Sequence, residues 1–402
     1  SKKKSNMAGT ELFGEEERKE VNDVMETGVL FRYGHEAQRN GHWKADEFEA
    51  EVAQFTGAKH AHGVSSGTAA ITCALAAAGI GYGDEVICTP FTFMATNEAV
   101  MFLGAIPLFA EVDESLCLSP EGIEAAITPD TKAVCLVHMC GAAARLDEIK
   151  AVCEKHNLIL VEDAGQALGS FYKGKHVGLH GVAGAFSFDF FKLATCGEGG
   201  IMITNNEETY RKADTFSDHG HDHIGSNRGM EQHPFLGLNY RLGELNAAIG
   251  LAQMRKVPKM IETQRTSKAI LKNALKTIPE LTFRHLSDEA GDSCTFLNFF
   301  LPTKKGAENA AAELGSFGIG AAYWYTNMYH FINQWYHVHN LSTISKIPLN
   351  VLPKKQDYGN LDLPKSQDVV GRLISVGVSS AKSIQEIEEL AAKMVAIIKK
   401  HV

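Results

Sequence analysis

The sequence predicts an α/β protein with a large domain built on a mostly parallel β-sheet and a smaller carboxy-terminal α+β domain. Three observations support this prediction. Short apolar runs bounded by turn residues alternate with helical patterns between residues 46 and 205. Several of these runs are apolar throughout, which is typical of parallel strands covered on both faces. The alternation ends in the last third of the chain, where a long helical stretch precedes shorter mixed elements.

The individual elements follow from these patterns. The candidate strands are residues 60–64, 85–88, 106–109, 133–137, 158–161 and 200–203. Helical patterns lie at 68–78, 95–103, 120–126, 146–156 and 243–275. A last helix is expected after Ser383, which has the capping-box spacing with Glu386. We place the large domain at 26–260 and form the smaller one from 1–25 and 261–402.

Composition restricts the class of protein. Of 402 residues, 45% are hydrophobic and 22% are charged, as in a globular protein with a large core. The net charge of -9 argues against nucleic acid or an anionic membrane as a partner. The eight cysteines form no CxxC pair, so we expect free thiols in a reducing cytoplasm. No secretory signal or membrane-spanning run is expected.

Two turns of the predicted sheet carry polar groups suited to a ligand. Ser65-Ser66-Gly67-Thr68 lies between a strand and an apolar helix, where free N–H groups and the helix dipole can hold a phosphate. An ordinary helix N-cap is the alternative. Asp163 follows a strand at its carboxyl end, where open parallel sheets bind ligands. It could hold a metal, take a proton, pair with a protonated ring nitrogen, or cap a helix.

The third signal is Lys192, which follows the aromatic segment 186–191 and precedes the glycine-rich turn 197–200. A poorly solvated lysine offers a neutral amine for Schiff-base chemistry. Most isolated lysines instead extend to solvent. Pyridoxal phosphate requires a phosphate cradle, an acid for its ring nitrogen and such a lysine. Together the three signals favour a pyridoxal-phosphate site.

With these motifs the sequence resembles the DegT/DnrJ/StrS family of sugar aminotransferases, which are pyridoxal-phosphate enzymes with the aspartate-aminotransferase fold, fold type I. The resemblance extends over nearly the whole chain. The matching stretches are 65–70, 83–86, 90–96, 162–167, 186–188 with Lys192 and 197–200, and 237–241. A branch of this family has histidine in place of the lysine and performs dehydration, so Lys192 favours an aminotransferase.

The resemblance implies a role for each site residue. Lys192 would form the Schiff base with the cofactor, and Asp163 would pair with the ring nitrogen. Phe93 would stack on the ring and Gln166 would lie near its hydroxyl group. The phosphate would be bound by Gly67, Thr68, Ser187 and, from the neighbouring subunit of a homodimer with shared active sites, Asn239. A core position for Phe93, and plain backbone hydrogen bonding for Gln166 and Asn239, are the alternatives.

The substrate follows from a narrower resemblance. The stretches 137–141, 216–225 and 323–325 are similar to the branch that makes 8-amino-3,8-dideoxy-manno-octulosonate, an amino form of the lipopolysaccharide sugar Kdo. This implies 8-oxo-3,8-dideoxy-manno-octulosonate as amino acceptor and L-glutamate as donor. A nucleotide-linked 4-keto-6-deoxy hexose is the alternative acceptor. A noncatalytic regulator that binds the cofactor is a further alternative. We do not favour it, because such regulators carry an added DNA-binding module and we expect none here.

Two further clusters leave their roles open. His219, His221 and His223 alternate in a glycine-flanked loop, 219–233. They could line the substrate entrance, lie in a solvated loop or bind a metal, and we predict no metal. The aromatic cluster of Trp335 with residues 323–325 could bound a sugar pocket or belong to the core.

Overall fold

The structure, a computed structural model, describes residues 8–225, 227–354 and 356–402. Residues 1–7 of the predicted segment 1–25, and Ser226 of the histidine loop, lie outside the described residues. The described strands are β1 His60–Val64, β2 Glu85–Cys88, β3 Ile106–Phe109, β4 Thr131–Val137, β5 Ile159–Asp163, β6 Phe171–Tyr172, β7 Lys175–His176, β8 Ala183–Ser187, β9 Gly200–Thr204, β10 Thr282–Phe283, β11 Phe296–Phe300, β12 Ala321–Ala322 and β13 Leu373–Gly377.

The larger sheet has the strand order β1-β9-β8-β5-β4-β2-β3. From β3 to β8 neighbouring strands are parallel, whereas β9 is antiparallel to both β8 and β1. All strands of this sheet except β9 therefore point the same way, which confirms the mostly parallel α/β prediction. Their carboxyl ends meet at one edge, together with the first residue of β9, Gly200.

The sequence patterns missed β8. Its first residues are small, and a Cβ atom at Gly184 would lie 2.2 Å from the Cα atom of Gly178. Close backbone packing therefore replaces the apolar run that normally identifies a buried strand. The other predicted strands are present, and β5 continues two residues beyond its predicted end to include Glu162 and Asp163.

The helices are α1 Ala8–Glu11, α2 Glu15–Thr27, α3 Lys44–Thr56, α4 Gly67–Ala77, α5 Ala95–Phe102, α6 Pro120–Ala126, α7 Leu146–His156, α8 Glu207–Ser217, α9 Glu244–Leu275, α10 Lys304–Ser316, α11 Tyr336–His339, α12 Pro364–Arg372 and α13 Ile384–Ile398. The helical patterns agree with these bounds to within one residue at each end. The capping box before α13 is confirmed, since Ser383 Oγ accepts a hydrogen bond from the N–H of Glu386 at 3.3 Å and Glu386 Oε2 accepts one from the N–H of Ser383 at 2.7 Å.

A second, antiparallel sheet, β10-β11-β13-β12, packs with the end of α9, α10 and α13 around a separate hydrophobic core. Part of the carboxy-terminal third nevertheless joins the larger core. Phe331 and Trp335 are fully buried there, and the Tyr358 hydroxyl donates to the Pro107 carbonyl at 2.7 Å. The division of the chain at residue 260 stays a prediction.

The cysteines and the lengths of the helices complete the description of the fold. All eight cysteines are free and buried. Among the described residues, none of the helices combines the length and apolar character that crossing a bilayer requires.

A buried carboxylate supports the centre of the large sheet. Glu162 of β5 is completely buried and accepts a hydrogen bond from His138 Nε2 at 2.9 Å. It also accepts three backbone N–H bonds at 2.7–2.8 Å from the turn after β7, donated by Gly178, His180 and Gly181. Burial raises the pKa of Glu162, but the hydrogen bond from His138 and the backbone donors outweigh it and hold the pKa at about 2. The charge is therefore fully compensated inside the protein.

Replacing this carboxylate should destabilise the fold. We expect Glu162→Gln to lower the free energy of unfolding by about 3 kcal/mol, because the amide NH₂ would face donors. Since the pKa of Glu162 is depressed from 4.5 to about 2, its stabilisation is complete above pH 4.5 and is lost as the pH falls toward 2.

Urea unfolding at several pH values measures both effects. The difference in the free energy of unfolding between wild type and Glu162→Gln should become smaller as the pH is lowered from 5 to 3. Glu124→Gln is the matched control, because Glu124 is a partly exposed partner of Lys155 and should contribute much less to stability than Glu162. Equal losses in the two variants, or a difference independent of pH, would contradict the prediction.

Candidate active site

The predicted phosphate-binding residues meet at the carboxyl edge of the large sheet. Ser66 caps α4, and its Oγ accepts the N–H of Ala69 at 3.0 Å. The N–H groups of Gly67 and Thr68, in the first turn, have no partner within the helix. A Cβ atom at Gly67 would lie 2.6 Å from the Cβ atom of Ser187, which ends β8. The α4 amino terminus and Ser187 therefore form one cradle, and its donors fit a phosphate.

The glycine-rich turn has a packing role beside this cradle. A Cβ atom at Gly200 would lie 2.1 Å from the carbonyl oxygen of Ser66. Any side chain at residue 200 would therefore displace the turn that begins α4. The requirement for glycine here explains why the turn after Lys192 is part of the motif.

Asp163 lies at the end of β5 and is only 7% exposed. Its Oδ1 accepts the N–H of Gly165 at 2.9 Å, and its Oδ2 accepts the Thr96 hydroxyl at 2.6 Å. Both bonds restrict the rotation of the carboxylate. Each oxygen keeps a further lone pair for a protonated ring nitrogen.

Lys192 is partly buried, as the sequence predicted, with 20% of its side chain exposed. The shielding does not come from all of the aromatic segment. Phe186 and Phe188 are buried in the core, but Phe190 and Phe191 are exposed. The Lys192 ammonium lies 3.9 Å from the carboxylate of Asp189, which is beyond hydrogen-bond distance. The amine is therefore sheltered without a tight ion pair.

Lys192 opens into a cavity of about 640 Å³ between the large sheet and the second sheet. Gly165, Gln166 and Ser187 line its inner end. The outer end carries charged side chains from α13 and the amino-terminal region, namely Glu11, Lys382, Glu386, Glu389 and Lys393. Of the predicted site residues, this cavity joins Gln166, Ser187 and Lys192 to solvent.

Of the two residues predicted to contact the cofactor ring, Gln166 lines the cavity and Phe93 lies beside a lining residue, His330. Gln166 Oε1 accepts the N–H of Cys140 at 3.1 Å, which leaves the amide NH₂ free to donate. Phe93 is half-exposed, and its ring lies 5.5 Å from that of His330. The core alternative for Phe93 does not fit this exposure.

Sequence reasoning missed His330, which lines the cavity. Its Nδ1 bonds to Asn327 Oδ1 at 2.9 Å and its ring lies 4.6 Å from that of Trp324. Burial, followed by the charge of Lys192, lowers the pKa of His330 to about 4. A neutral histidine is therefore added to the site. It follows Lys192 by more than a hundred residues, in no recognisable motif.

Asn239 is exposed and is not among the described residues that line the cavity. Its segment still runs beside the cradle. The N–H of Ser65 donates to the carbonyl of Tyr240 at 2.7 Å, and Val64 forms a bridge with Arg241. Within one chain the structure does not bring Asn239 to Lys192.

The histidine loop is held by ion pairs. His223 lies between Asp214 and Asp218, with Nδ1 and Nε2 at 2.7 and 2.8 Å from their carboxylates. Burial lowers the pKa of His223, but these two hydrogen bonds outweigh it and raise it to about 9. Both ring nitrogens are thus engaged, which leaves no lone pair for a metal. His221 Nδ1 lies 2.8 Å from Glu231 Oε2, but the geometry between these two buried atoms is not that of a hydrogen bond.

Of the aromatic cluster, one tryptophan lies only in the hydrophobic core and another also faces the cavity. Trp335 is completely buried in the larger core. Trp324 belongs to the same core and also lines the cavity.

Comparison with known proteins agrees with this geometry. The family model for the DegT/DnrJ/EryC1/StrS aminotransferase family matches residues 12–395. The chain is 32% identical to the spore coat polysaccharide biosynthesis protein SpsC of Bacillus subtilis, over 96% of each protein. It is 37% identical to the GDP-perosamine synthase of Vibrio cholerae over 264 residues, which are 65% of this chain and 69% of that protein.

The fold has a close counterpart among solved structures. An aminotransferase from Psychrobacter cryohalolentis superposes with a TM-score of 0.83 at 25% identity, covering 97% of this chain and 98% of that one. The fold is that of the type I pyridoxal-phosphate aminotransferases. From the family match and these relatives, the chain belongs to the DegT/DnrJ/EryC1/StrS aminotransferase family and is a pyridoxal-phosphate-dependent sugar aminotransferase.

Proposed function

We propose that this enzyme transfers the amino group of L-glutamate to 8-oxo-3,8-dideoxy-manno-octulosonate, forming an amino sugar for lipopolysaccharide. The observation that carries the proposal is the cavity around Lys192, whose inner end holds the reactive amine and whose outer end is charged and polar. An eight-carbon keto acid has its carbonyl at one end and its carboxylate at the other. Such a substrate can place its terminal carbonyl near Lys192 while its carboxylate end faces the outer cavity.

The residues have separate roles in this proposal. Bound pyridoxal phosphate supplies an electron sink for the carbanion that forms when a Cα proton leaves. Gly67, Thr68 and Ser187 bind its phosphate, Asp163 holds the proton on its ring nitrogen, Phe93 covers its face and Gln166 donates to its hydroxyl group. Lys192 Nζ takes the Cα proton of glutamate in the first half-reaction and returns a proton to the former carbonyl carbon of the ketosugar in the second.

The charges of the cavity support a small acid over a nucleotide. Three carboxylates, those of Glu11, Glu386 and Glu389, share the outer end with two ammonium groups, those of Lys382 and Lys393. A nucleotide diphosphate would bring two negative charges into this surplus of carboxylates, whereas the octulosonate brings one. The repulsion is therefore smaller for the keto acid.

A nucleotide-linked 4-keto-6-deoxy hexose remains the second candidate acceptor. It is favoured by the 37% identity with the GDP-perosamine synthase of Vibrio cholerae, whose name specifies a nucleotide-linked product. The two candidates share the donor half-reaction and differ only in the acceptor.

We also propose a homodimer in which Asn239 completes the phosphate site of the partner. Asn239 is exposed, lies outside the cavity of its own chain and is next to the exposed side chain of Leu238. Leu236, two residues before Leu238, is also exposed. Apolar side chains on a loop beside a cradle suit contact with a second copy.

Lys192→Ala should abolish turnover and the absorption band of the protein-bound cofactor, because the variant lacks the amine that holds the cofactor and moves the proton. Borohydride reduction followed by mass spectrometry should attach the cofactor to wild type at Lys192 and leave the variant unlabelled. Lys382→Ala, a second lysine of the same cavity, is the control and should be labelled normally. Normal turnover by Lys192→Ala would reject the assignment.

The acceptor can be identified from the cofactor spectrum. L-Glutamate should convert the yellow enzyme to its aminated form, and added 8-oxo-3,8-dideoxy-manno-octulosonate should restore the original band. A TDP-4-keto-6-deoxyglucose offered in parallel should leave the aminated form unchanged. Restoration by the nucleotide sugar alone would replace the proposed acceptor, and no response to glutamate would reject the donor.

Mixing two inactive variants tests the shared site. Asn239→Ala and Lys192→Ala chains, dissociated and reassociated in equal amounts, should recover about a quarter of wild-type activity, because half of the dimers contain one complete site out of two. Each variant alone, treated in the same way, is the control. If Asn239 served its own chain, the mixture would show no more activity than the Asn239→Ala protein it contains.

A further inference from the structure

Two buried threonines connect Asp163 to the segment that carries Phe93. Thr92 and Thr96 are 2% and 1% exposed. Their hydroxyl oxygens are 3.0 Å apart, and that of Thr96 lies 2.6 Å from Asp163 Oδ2. Nothing in the assigned roles of the site uses either hydroxyl.

The direction of these bonds follows from the acceptor at the end. An ionised carboxylate can only accept, so Thr96 donates its single hydroxyl proton to Asp163. The carbonyl of Phe93, at 3.2 Å from the same hydroxyl, is the weaker alternative acceptor. Thr96 Oγ1 is then free to accept from Thr92. The chain runs Thr92 to Thr96 to Asp163, with every proton directed toward the carboxylate.

Thr92, the first residue of this series of hydrogen bonds, lies in a turn that is itself held by backbone hydrogen bonds. The N–H of Thr92 donates to the carbonyl of His330 at 3.0 Å, and the N–H of Met94 donates to the carbonyl of Tyr329 at 3.0 Å. Phe91 forms a bridge with Phe331 on the same segment. The turn from residue 91 to 94 is therefore attached to the segment that brings His330 into the cavity.

We propose that Thr96 is a positioning residue for Asp163, with Thr92 orienting the Thr96 hydroxyl, and that this pair fixes the carboxylate for the ring nitrogen of pyridoxal phosphate. The inference rests on the proposed role of Asp163. Without Thr96 one oxygen of a carboxylate that is 7% exposed would lose its donor in a place with little water. The carboxylate could then rotate about its last torsion, where the energy profile is broad.

Valine and serine replacements separate the hydroxyl from the shape of the side chain. Thr96→Val keeps the volume and removes the donor, so pyridoxal phosphate should bind the cofactor-stripped enzyme about tenfold more weakly, as loss of a hydrogen bond to a charged group implies. Thr96→Ser keeps the donor and should bind within about twofold of wild type. Thr92→Val should have a smaller effect, which should disappear when Thr96 is already valine.

A double-mutant cycle tests whether Thr96 acts through Asp163. Asp163→Asn should weaken binding by itself, and adding Thr96→Val to it should cause no further loss, because the charged acceptor is gone. Thr56→Val is the matched control, since its buried hydroxyl bonds to the carbonyl of Val52 at 2.8 Å, away from the site. Melting temperatures of the cofactor-free proteins show whether each variant folds.

The outcomes are distinct. Wild-type affinity in Thr96→Val, or an equal loss in the presence and absence of Asp163→Asn, would overturn the inference and leave Asp163 in place. Unchanged affinity in Asp163→Asn would overturn the proposed role of Asp163 and the inference with it. The role of Asp163 and the inference are both supported if Thr96→Val binds the cofactor weakly and Thr96→Ser binds it normally. In addition, adding Thr96→Val to Asp163→Asn must cause no further loss of affinity.

Discussion

The contact between two turns at the carboxyl edge of the large sheet determines where the phosphate cradle lies. The start of β9 touches the Ser66 carbonyl, and the start of α4 touches Ser187, each through a glycine that leaves no room for a Cβ atom. A methyl group at Gly200 would separate α4 from β9, and one at Gly67 would separate α4 from β8. The phosphate cradle and the carboxyl ends of β5 and β8 would then no longer share one edge.

Neighbouring carboxylates on β5 show how one strand serves both stability and chemistry. Glu162 and Asp163 point to opposite faces because side chains alternate along a strand. Glu162 accepts four hydrogen bonds inside the protein, whereas Asp163 accepts two and keeps part of its acceptor capacity. A shift of one residue in the register of β5 would exchange these environments and leave an uncompensated charge in the core.

The parts of the structure that sequence patterns predicted are those encoded locally. Helix α7 and the capping box of α13 depend on residues within one or two turns, and the position of Asp163 follows from the strand that precedes it. Strand β8 was missed because its small residues are held by pairing with β5 and β9. Thr96 lies in the family motif 90–96, but its hydrogen bond to Asp163 joins residues 67 positions apart, so no local pattern predicts it. His330 reaches the cavity only through tertiary packing, which no local pattern records.

Helix α9 has a mechanical consequence for the enzyme. It is a continuous rod of 32 residues, about 48 Å long at the usual rise, with its first turn in the larger core and Leu271 and Leu275 in the second. Glu244 clamps the first turn through Arg39 and the N–H of Lys44. The large sheet and the second sheet, which form the two walls of the cavity, are thus both packed against α9. A rotation of one wall relative to the other would require this helix to bend. Pro258, which lacks one hydrogen bond of the helix, is its most compliant point.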